Sequence, residues 1–315
     1  MSTSPHRCRI CGSDQGAREY RAREMMHGTR EEFCYFQCGA CECLQICEFP
    51  PDIARFYAGY GSYEPPRLPT GLRGRAWAVR NRFTFTGRGA VGRVLERLHP
   101  YPTPGADRWL AGRGVSPEAR ILDVGCGSGG LLLSLHSAGY RDLLGVDPYL
   151  EADLRYPNGV TILKRGLAEV EGRFDVIMFH HVLEHIADQH ETMAAVAERL
   201  TDTGFCLIRI PLVSSEAWDT YREHWVQIDP PRHFFVHSLR SLALLAEGAG
   251  LRVASVEHDS TAFQFEASEL YRRDIPLVDH AGKIPPDQHL EYTRRAASLN
   301  ASGRGDQAAF YLRKA

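Results

Sequence analysis

Short apolar runs recur through the middle of the chain and alternate with segments of helical spacing. Ile121–Val124, Leu143–Val146, Val160–Leu163, Phe174–Phe179 and Phe205–Ile210 read as strands. The run at 174–179 has the continuous hydrophobicity of a strand buried on both faces. Leu131, Leu132, Leu133 and Leu135 start a helix that Gly139 caps, and Met193, Val196, Ala197 and Leu200 recur at helical spacing behind an Asp188/Glu191 capping signature. Strands alternating with helices predict an α/β fold with a largely parallel sheet. Ser238 caps a further helix, Leu239–Gly248, and Leu251–Glu257 with Thr261–Phe265 are expected to form a closing hairpin. Ahead of the sheet, the segments around Trp77–Phe83 and Val91–Leu98 read as helices.

The first strand leads into Ile-Leu-Asp-Val-Gly-Cys-Gly-Ser-Gly-Gly, residues 121–130. A strand, a tight glycine turn and a helix N-terminus let a nucleotide-like ligand approach backbone amides closely. Gly125, Gly127 and Gly130 satisfy the dinucleotide fingerprint, so the glycines alone do not name the ligand. Asp123 tips the balance, since a carboxylate is unfavourable beside a pyrophosphate and favourable beside the ammonium and sulfonium of S-adenosylmethionine (SAM). Asp147, at the tip of the second strand, is placed to accept both ribose hydroxyls of an adenosyl ligand.

Residues 121–130 resemble motif I of the class I SAM-dependent methyltransferases, and the resemblance covers residues 115–267. It implies a Rossmann-like sheet of seven strands, the last antiparallel. It also implies a cofactor site drawn from Asp123, Gly125, Cys126, Gly127, Gly129, Asp147, Pro148, Leu167, Ala168, His180 and His181. For His180 a packing role competes. The segment His181-Val-Leu-Glu184-His185, at the rim where open α/β sheets bind ligands, resembles the post-strand-four signature of small-molecule and sugar methyltransferases. By that resemblance His181 lies near the methionine moiety, while Glu184 and His185 lie near the acceptor or are structural.

After the fifth strand comes an insertion, 212–235, rich in groups able to stack on a ring or move a proton. Trp225, Asp229 and Arg232 are candidate substrate contacts, and His233 is the candidate general base. This region resembles zinc-containing deoxysugar C-methyltransferases, in which a Glu-His pair occupies the place of Arg232-His233. The arginine is compatible with O-methylation or with a phosphate on the acceptor. No Asp-Pro-Pro-Tyr or Asn-Pro-Pro-Tyr follows strand four, which lowers a nucleobase amine as target. Tyr57, Tyr60 and Tyr63 are candidates for a substrate wall, with packing between modules as the competing role.

The cysteines change the picture at the front of the chain. Cys8-Arg-Ile-Cys11 and Cys38-Gly-Ala-Cys41 are paired knuckles that together supply four thiolates to a structural zinc ion. Cys34, Cys43 and Cys47 have no assigned role. An arginine run from Arg67 to Arg97, interrupted by the single acid Glu96, reads as a solvated helical face or as an anion contact. With 315 residues, 43% hydrophobic, and a net charge of −2, the chain suits one large domain and a small appendage and is no wholesale polyanion binder. The N-terminus lacks the apolar core of a signal peptide, no run is long enough to span a membrane, and a cytoplasmic location is expected.

The expected division is a zinc-binding module at 1–50, a linker and helical region at 51–118, a methyltransferase domain at 119–267 and a polar C-terminal extension at 268–315. The expected activity is O-methylation of a sugar, nucleotide-sugar or natural-product intermediate. C-methylation of a keto-deoxysugar, methylation of RNA and a non-catalytic SAM-binding adaptor remain as alternatives.

Overall fold

The computed structural model describes residues 6–57, 63–103 and 105–315. At the front, β1 (Arg18–Arg23), β2 (Glu32–Gln37) and β3 (Leu44–Ile46) pair antiparallel in sequence order. The β2–β3 register brings Cys34 and Cys47 to a Cα separation of 5.3 Å, where they form a disulfide, a pairing the sequence does not single out. Tyr60 lies outside the described residues.

Two helices follow, α1 (Gly71–Thr86) and α2 (Ala90–Leu98), packed antiparallel. The Thr84 hydroxyl donates to the Glu96 carboxylate and Arg80 donates to the His99 carbonyl at 3.4 Å. Gly92 allows the close approach, because a Cβ there would lie 2.5 Å from the Val79 carbonyl oxygen. The short α3 (Ala106–Trp109) then delivers the chain to the main sheet.

The sheet is built from β4 (Arg120–Val124), β5 (Asp142–Val146), β6 (Leu154–Arg155), β7 (Thr161–Leu163), β8 (Phe174–His180) and β9 (Leu200–Pro211). Helices α4 (Gly130–Ala138) and α5 (Gln189–Arg199) connect them. The insertion after β9 contains α6 (Glu216–Tyr221) and ends in β10 (Phe235–Val236). Beyond it come α7 (Leu239–Gly248), β11 (Leu251–His258), α8 (Phe263–Arg272), α9 (Pro286–Ala301) and β12 (Gln307–Lys314). Strand order is β11-β12-β9-β8-β4-β5-β7-β6. Neighbours from β9 through β7 are parallel, and β12 runs antiparallel to both of its partners. The expected seven strands with the last antiparallel are therefore present, with the two-residue β6 added at one edge.

The closing hairpin differs from expectation. Thr261–Phe265 is not a strand; residues 263–272 are helical, with Phe265, Leu270 and Tyr271 all buried. The partner of β11 is β12, drawn from the segment read as a polar extension, whose first six residues are all buried. The sheet divides the core in two. Ile121, Met178 and Leu207 pack against Leu133 of α4, Phe85 and Trp109 on one side, whereas Leu122, Ile177 and Ile208 pack toward α5, α7 and the N-terminal module on the other.

That module is not a separate bead. Strand β10 pairs antiparallel with β3, so the end of the insertion completes a four-stranded sheet begun in the first fifty residues. The Tyr35 hydroxyl donates to the His233 carbonyl at 2.8 Å and the Ser238 hydroxyl donates to the Cys41 carbonyl at 2.6 Å.

Candidate active site

A cavity of about 620 Å³ opens at the carboxyl ends of β4, β5 and β8, the place where the strand order reverses. Of the candidate cofactor residues, Gly125, Gly127, Asp147, Pro148, Leu167, Ala168, His180 and His181 line it. Gly125 has φ +68° and a Cβ there would strike Val182 at 2.5 Å, so only glycine lets the turn fold under the rim. Asp147 accepts from the Gly127 amide and the Tyr149 amide, both at 2.9 Å, which fixes its carboxylate at the strand tip. Asp123, Cys126 and Gly129 stand behind this wall. Burial, helped by the nearby Asp147 charge, pushes the Asp123 carboxyl up to about 8. Gly129 makes room for Ile162, and Cys126 lies under Gly145. His180 packs on Trp109 with ring centroids 4.1 Å apart, and neither of its ring nitrogens has a hydrogen-bond partner among the described residues. Burial lowers its basicity well below the usual range, so it is a neutral wall.

His181 follows β8 in the left-handed region, with φ 55°, a conformation that costs a non-glycine residue energy. Its amide donates to the Arg209 carbonyl at 2.9 Å. Arg209 Nη1 lies 2.6 Å from His181 Nε2, and since a guanidinium only donates, Nε2 is the acceptor. The ring proton of the neutral imidazole is then on Nδ1, 3.2 Å from Glu184 Oε1. Arg209 is itself held by Asp259, and both are buried.

Glu184 is fully buried beneath this layer, with Oε2 lacking a hydrogen-bond partner among the described residues. Burial alone would raise its pKa, but the His181 hydrogen bond and the surrounding imidazoles of His181, His185 and His233 outweigh burial and bring it to about 2. His185 lines the cavity. Its Nδ1 is 2.8 Å from the Arg232 carbonyl and 3.0 Å from the Tyr57 hydroxyl. A carbonyl cannot donate, so Nδ1 carries the proton and Nε2 of the neutral ring is the free base. Burial, reinforced by His233, lowers the pKa of His185 and keeps it neutral.

His233 sits behind His185, ring centroids 4.7 Å apart, rather than on the cavity wall. Its Nδ1 is 2.7 Å from the Gln227 carbonyl, and Nε2 lies 3.8 Å from Asp229 and 4.0 Å from Glu184.

The candidate substrate contacts separate. Tyr57 and Tyr63 line the cavity. Trp225 does not: it is buried against Trp218, and its indole donates to Asp306 at 3.1 Å. Arg232 is also a brace rather than a ligand contact, being fully buried in a two-pronged pair with Asp229, 3.6 Å from Glu24, and donating to the Phe56 carbonyl at 3.1 Å. Arg209 joins the site as well. Its signal is a lone arginine in the apolar run of strand five; Glu24 and Asp259 carry no comparable mark.

Sequence comparison adds the decisive observation: the family model for the methyltransferase domain matches residues 86–256. The chain belongs to the methyltransferase domain family. As a SAM-dependent methyltransferase it has a cavity that fits its cofactor, with a glycine turn, a fixed acid at the second strand tip and an apolar edge at Leu167 and Ala168. No curated protein matches the chain in sequence. Among solved structures it is similar to the cyclopropane synthase MmaA2 from Mycobacterium tuberculosis, at 14% identity over 64% of this chain and 80% of that one, TM-score 0.42. It is also similar to the mitomycin 7-O-methyltransferase MmcR, at 14% identity over 77% and 55%, TM-score 0.41. A third likeness is a SAM-dependent methyltransferase from Mesorhizobium loti, at 14% identity over 62% and 91%, TM-score 0.41. Likenesses this distant carry no argument about the acceptor.

At the front of the chain, sulfur atoms of Cys8, Cys11, Cys38 and Cys41 gather within 4.8 Å of one another. Amides of Ile10 and Cys11 point at Cys8 Sγ, and those of Ala40 and Cys41 at Cys38 Sγ, at 3.3 to 3.5 Å. Four thiols with amides aimed at two of them form a donor set that fits a closed, tetrahedral zinc site.

Proposed function

We propose that the methyltransferase transfers a methyl group from SAM to a hydroxyl of a small molecule, a sugar, nucleotide-sugar or natural-product intermediate, with His185 as the base and His233 as its support. The observation that carries this is the pinned Nδ1 of His185, which leaves Nε2 unprotonated on a residue of the cavity wall. SAM supplies an electrophilic methyl group and leaves as S-adenosylhomocysteine. His185 Nε2 takes the hydroxyl proton as the new C–O bond forms. Glu184 and Asp229 favour the resulting imidazolium, since both raise the basicity of His185. Tyr57 and Tyr63 wall the acceptor and exclude water, and Asp147 holds the ribose of the cofactor.

In this reading the Cys8, Cys11, Cys38 and Cys41 cluster holds one structural zinc. Its link to chemistry is mechanical, because the sheet it stabilises ends in β10, directly after His233.

The test is transfer of labelled methyl from SAM into fractionated small molecules, by the wild-type protein and by His185→Gln and His233→Gln. Loss of proton transfer should lower turnover of His185→Gln by roughly 10²–10⁴-fold. SAM affinity measured by calorimetry should hold within a few-fold. Undiminished turnover in His185→Gln rejects the base, and label recovered in RNA instead of small molecules rejects the acceptor class.

A further inference from the structure

The arginine run remains outside the catalytic reading, and its three-dimensional form is more specific than its sequence. Helix α1 packs on the domain through one face, and α2 packs on α1. On the inner side, Asn81, Thr84 and Phe85 are buried, and the Asn81 amide donates to Ser137 of α4 at 2.8 Å. On the outer side Leu72, Ala76 and Val79 fall in one stripe at i, i+4, i+7, and Val91, Val94 and Leu98 form another at i, i+3, i+7. These are the opposite of core positions: Leu72 is 82% exposed, Val91 66% and Leu98 66%. Because the hairpin is antiparallel, with Gly92 against Val79 and Phe83, the two stripes run in opposite directions, and the Leu98 end of the second lies near Arg80, with the Leu72 end of the first extending beyond it.

The charges frame the stripes. Arg73, Arg75, Arg82, Arg93 and Arg97 are all exposed on the same two helices. Glu96, the only acid between Arg67 and Leu98, is turned inward and spent on Thr84 and the Tyr101 amide. A ridge of exposed aliphatic side chains bordered by arginines matches the boundary of an anionic bilayer, where apolar groups enter the acyl region and guanidinium groups stay among the phosphates. Nucleic acid offers the arginines partners but leaves the aliphatic ridge in water. A second copy would set one arginine-rich face against another.

We infer that the α1–α2 hairpin is a docking surface for anionic lipid bilayers, lying on the surface without crossing it. Among the described residues no helix is long and apolar enough to cross a membrane, so the contact is peripheral. The inference does not depend on the identity of the base or the acceptor.

The experiment is co-sedimentation of the full chain with vesicles of phosphatidylcholine alone and of phosphatidylcholine with phosphatidylglycerol. Binding to the anionic vesicles is expected to fall with salt. It should weaken about tenfold or more in Val94→Asp/Leu98→Asp and in Arg75→Glu/Arg93→Glu, both exposed pairs whose circular dichroism should match wild type. For the wild-type chain, anionic vesicles should slow hydrogen exchange at residues 71–98. Three results would overturn the inference: no sedimentation with anionic vesicles, binding that ignores the aliphatic pair and is matched by RNA, or a dimer in solution that Val94→Asp dissolves.

Discussion

Arg209 Nη1 donates to His181 Nε2 at 2.6 Å, so an arginine buried in the sheet dictates which nitrogen of a rim histidine carries its proton. His181 in turn passes that order to Glu184 through Nδ1, and Asp259 anchors the whole line from behind.

Removing the anchor should be costly. Arg209→Met leaves Asp259 buried without its cation, and breaking a buried pair from one side costs about 3–5 kcal/mol. Chemical denaturation of Arg209→Met should show a loss of that size. In Arg209→Met/Asp259→Leu much of the stability should return, because no charge is stranded, while SAM affinity stays reduced through the freed His181. A double variant no more stable than the single one would show that the pair does not act through charge.

Zinc should govern more than the front fifty residues. Cys38→Ser, or prolonged chelation, should remove the proposed ion from a module whose sheet contains β10 and whose Tyr35 holds the His233 carbonyl. Metal analysis of the wild-type chain should find about one zinc per chain. Losing it should lower the melting temperature by roughly 5 °C or more. Hydrogen exchange should quicken at 232–238 as well as at 8–47. Acceleration confined to 8–47 would disconnect the module from the catalytic loop.

Stability should fall as pH rises from about 4 to about 8, through Asp123. In the unfolded chain its carboxyl ionises near 3.8, whereas burial lifts it to about 8 in the folded protein. Between those values the folded state holds a proton that the unfolded state has lost, so each rise in pH favours unfolding, and the effect levels off above pH 8. Asp123→Asn cannot titrate and should be the more stable form at pH 8 by at least about 1 kcal/mol, with the gap closing toward pH 4. Urea melts at pH 4, 6 and 8 measure both.

Much of this was legible in the sequence because it is local. The glycine turn, the Asp147 strand tip and the paired cysteine knuckles are set by backbone conformation within a few residues, and they stand where the pattern put them. The closing strand was not legible: Gln307–Lys314 joins the sheet across two helices, α8 and α9, and nothing near 261–265 reports that a distant partner will take the edge. The base illustrates the same limit. His185 and His233 are both plausible by type, and only the fold decides that one faces the cavity while the other stands behind it. Trp225 and Arg232 looked like ligand contacts since stacking rings and guanidinium groups serve ligands and cores alike.

Arg232 permits a direct distinction between those two uses. It ties together Asp229 from its own turn, Glu24 from the zinc module and the Phe56 carbonyl from the linker. A phosphate-binding arginine, when changed to lysine, would weaken the acceptor and leave the fold intact. A three-way brace behaves otherwise: lysine keeps the charge but loses the fork that reaches several partners at once. Arg232→Lys should therefore lower stability by about 1–3 kcal/mol, and Arg232→Met, which strands Asp229 and Glu24, by about 3–5 kcal/mol. Inorganic phosphate should protect neither the wild-type chain nor the variants against unfolding. Phosphate protection of the wild type that Arg232→Lys abolishes would return this residue to the binding site.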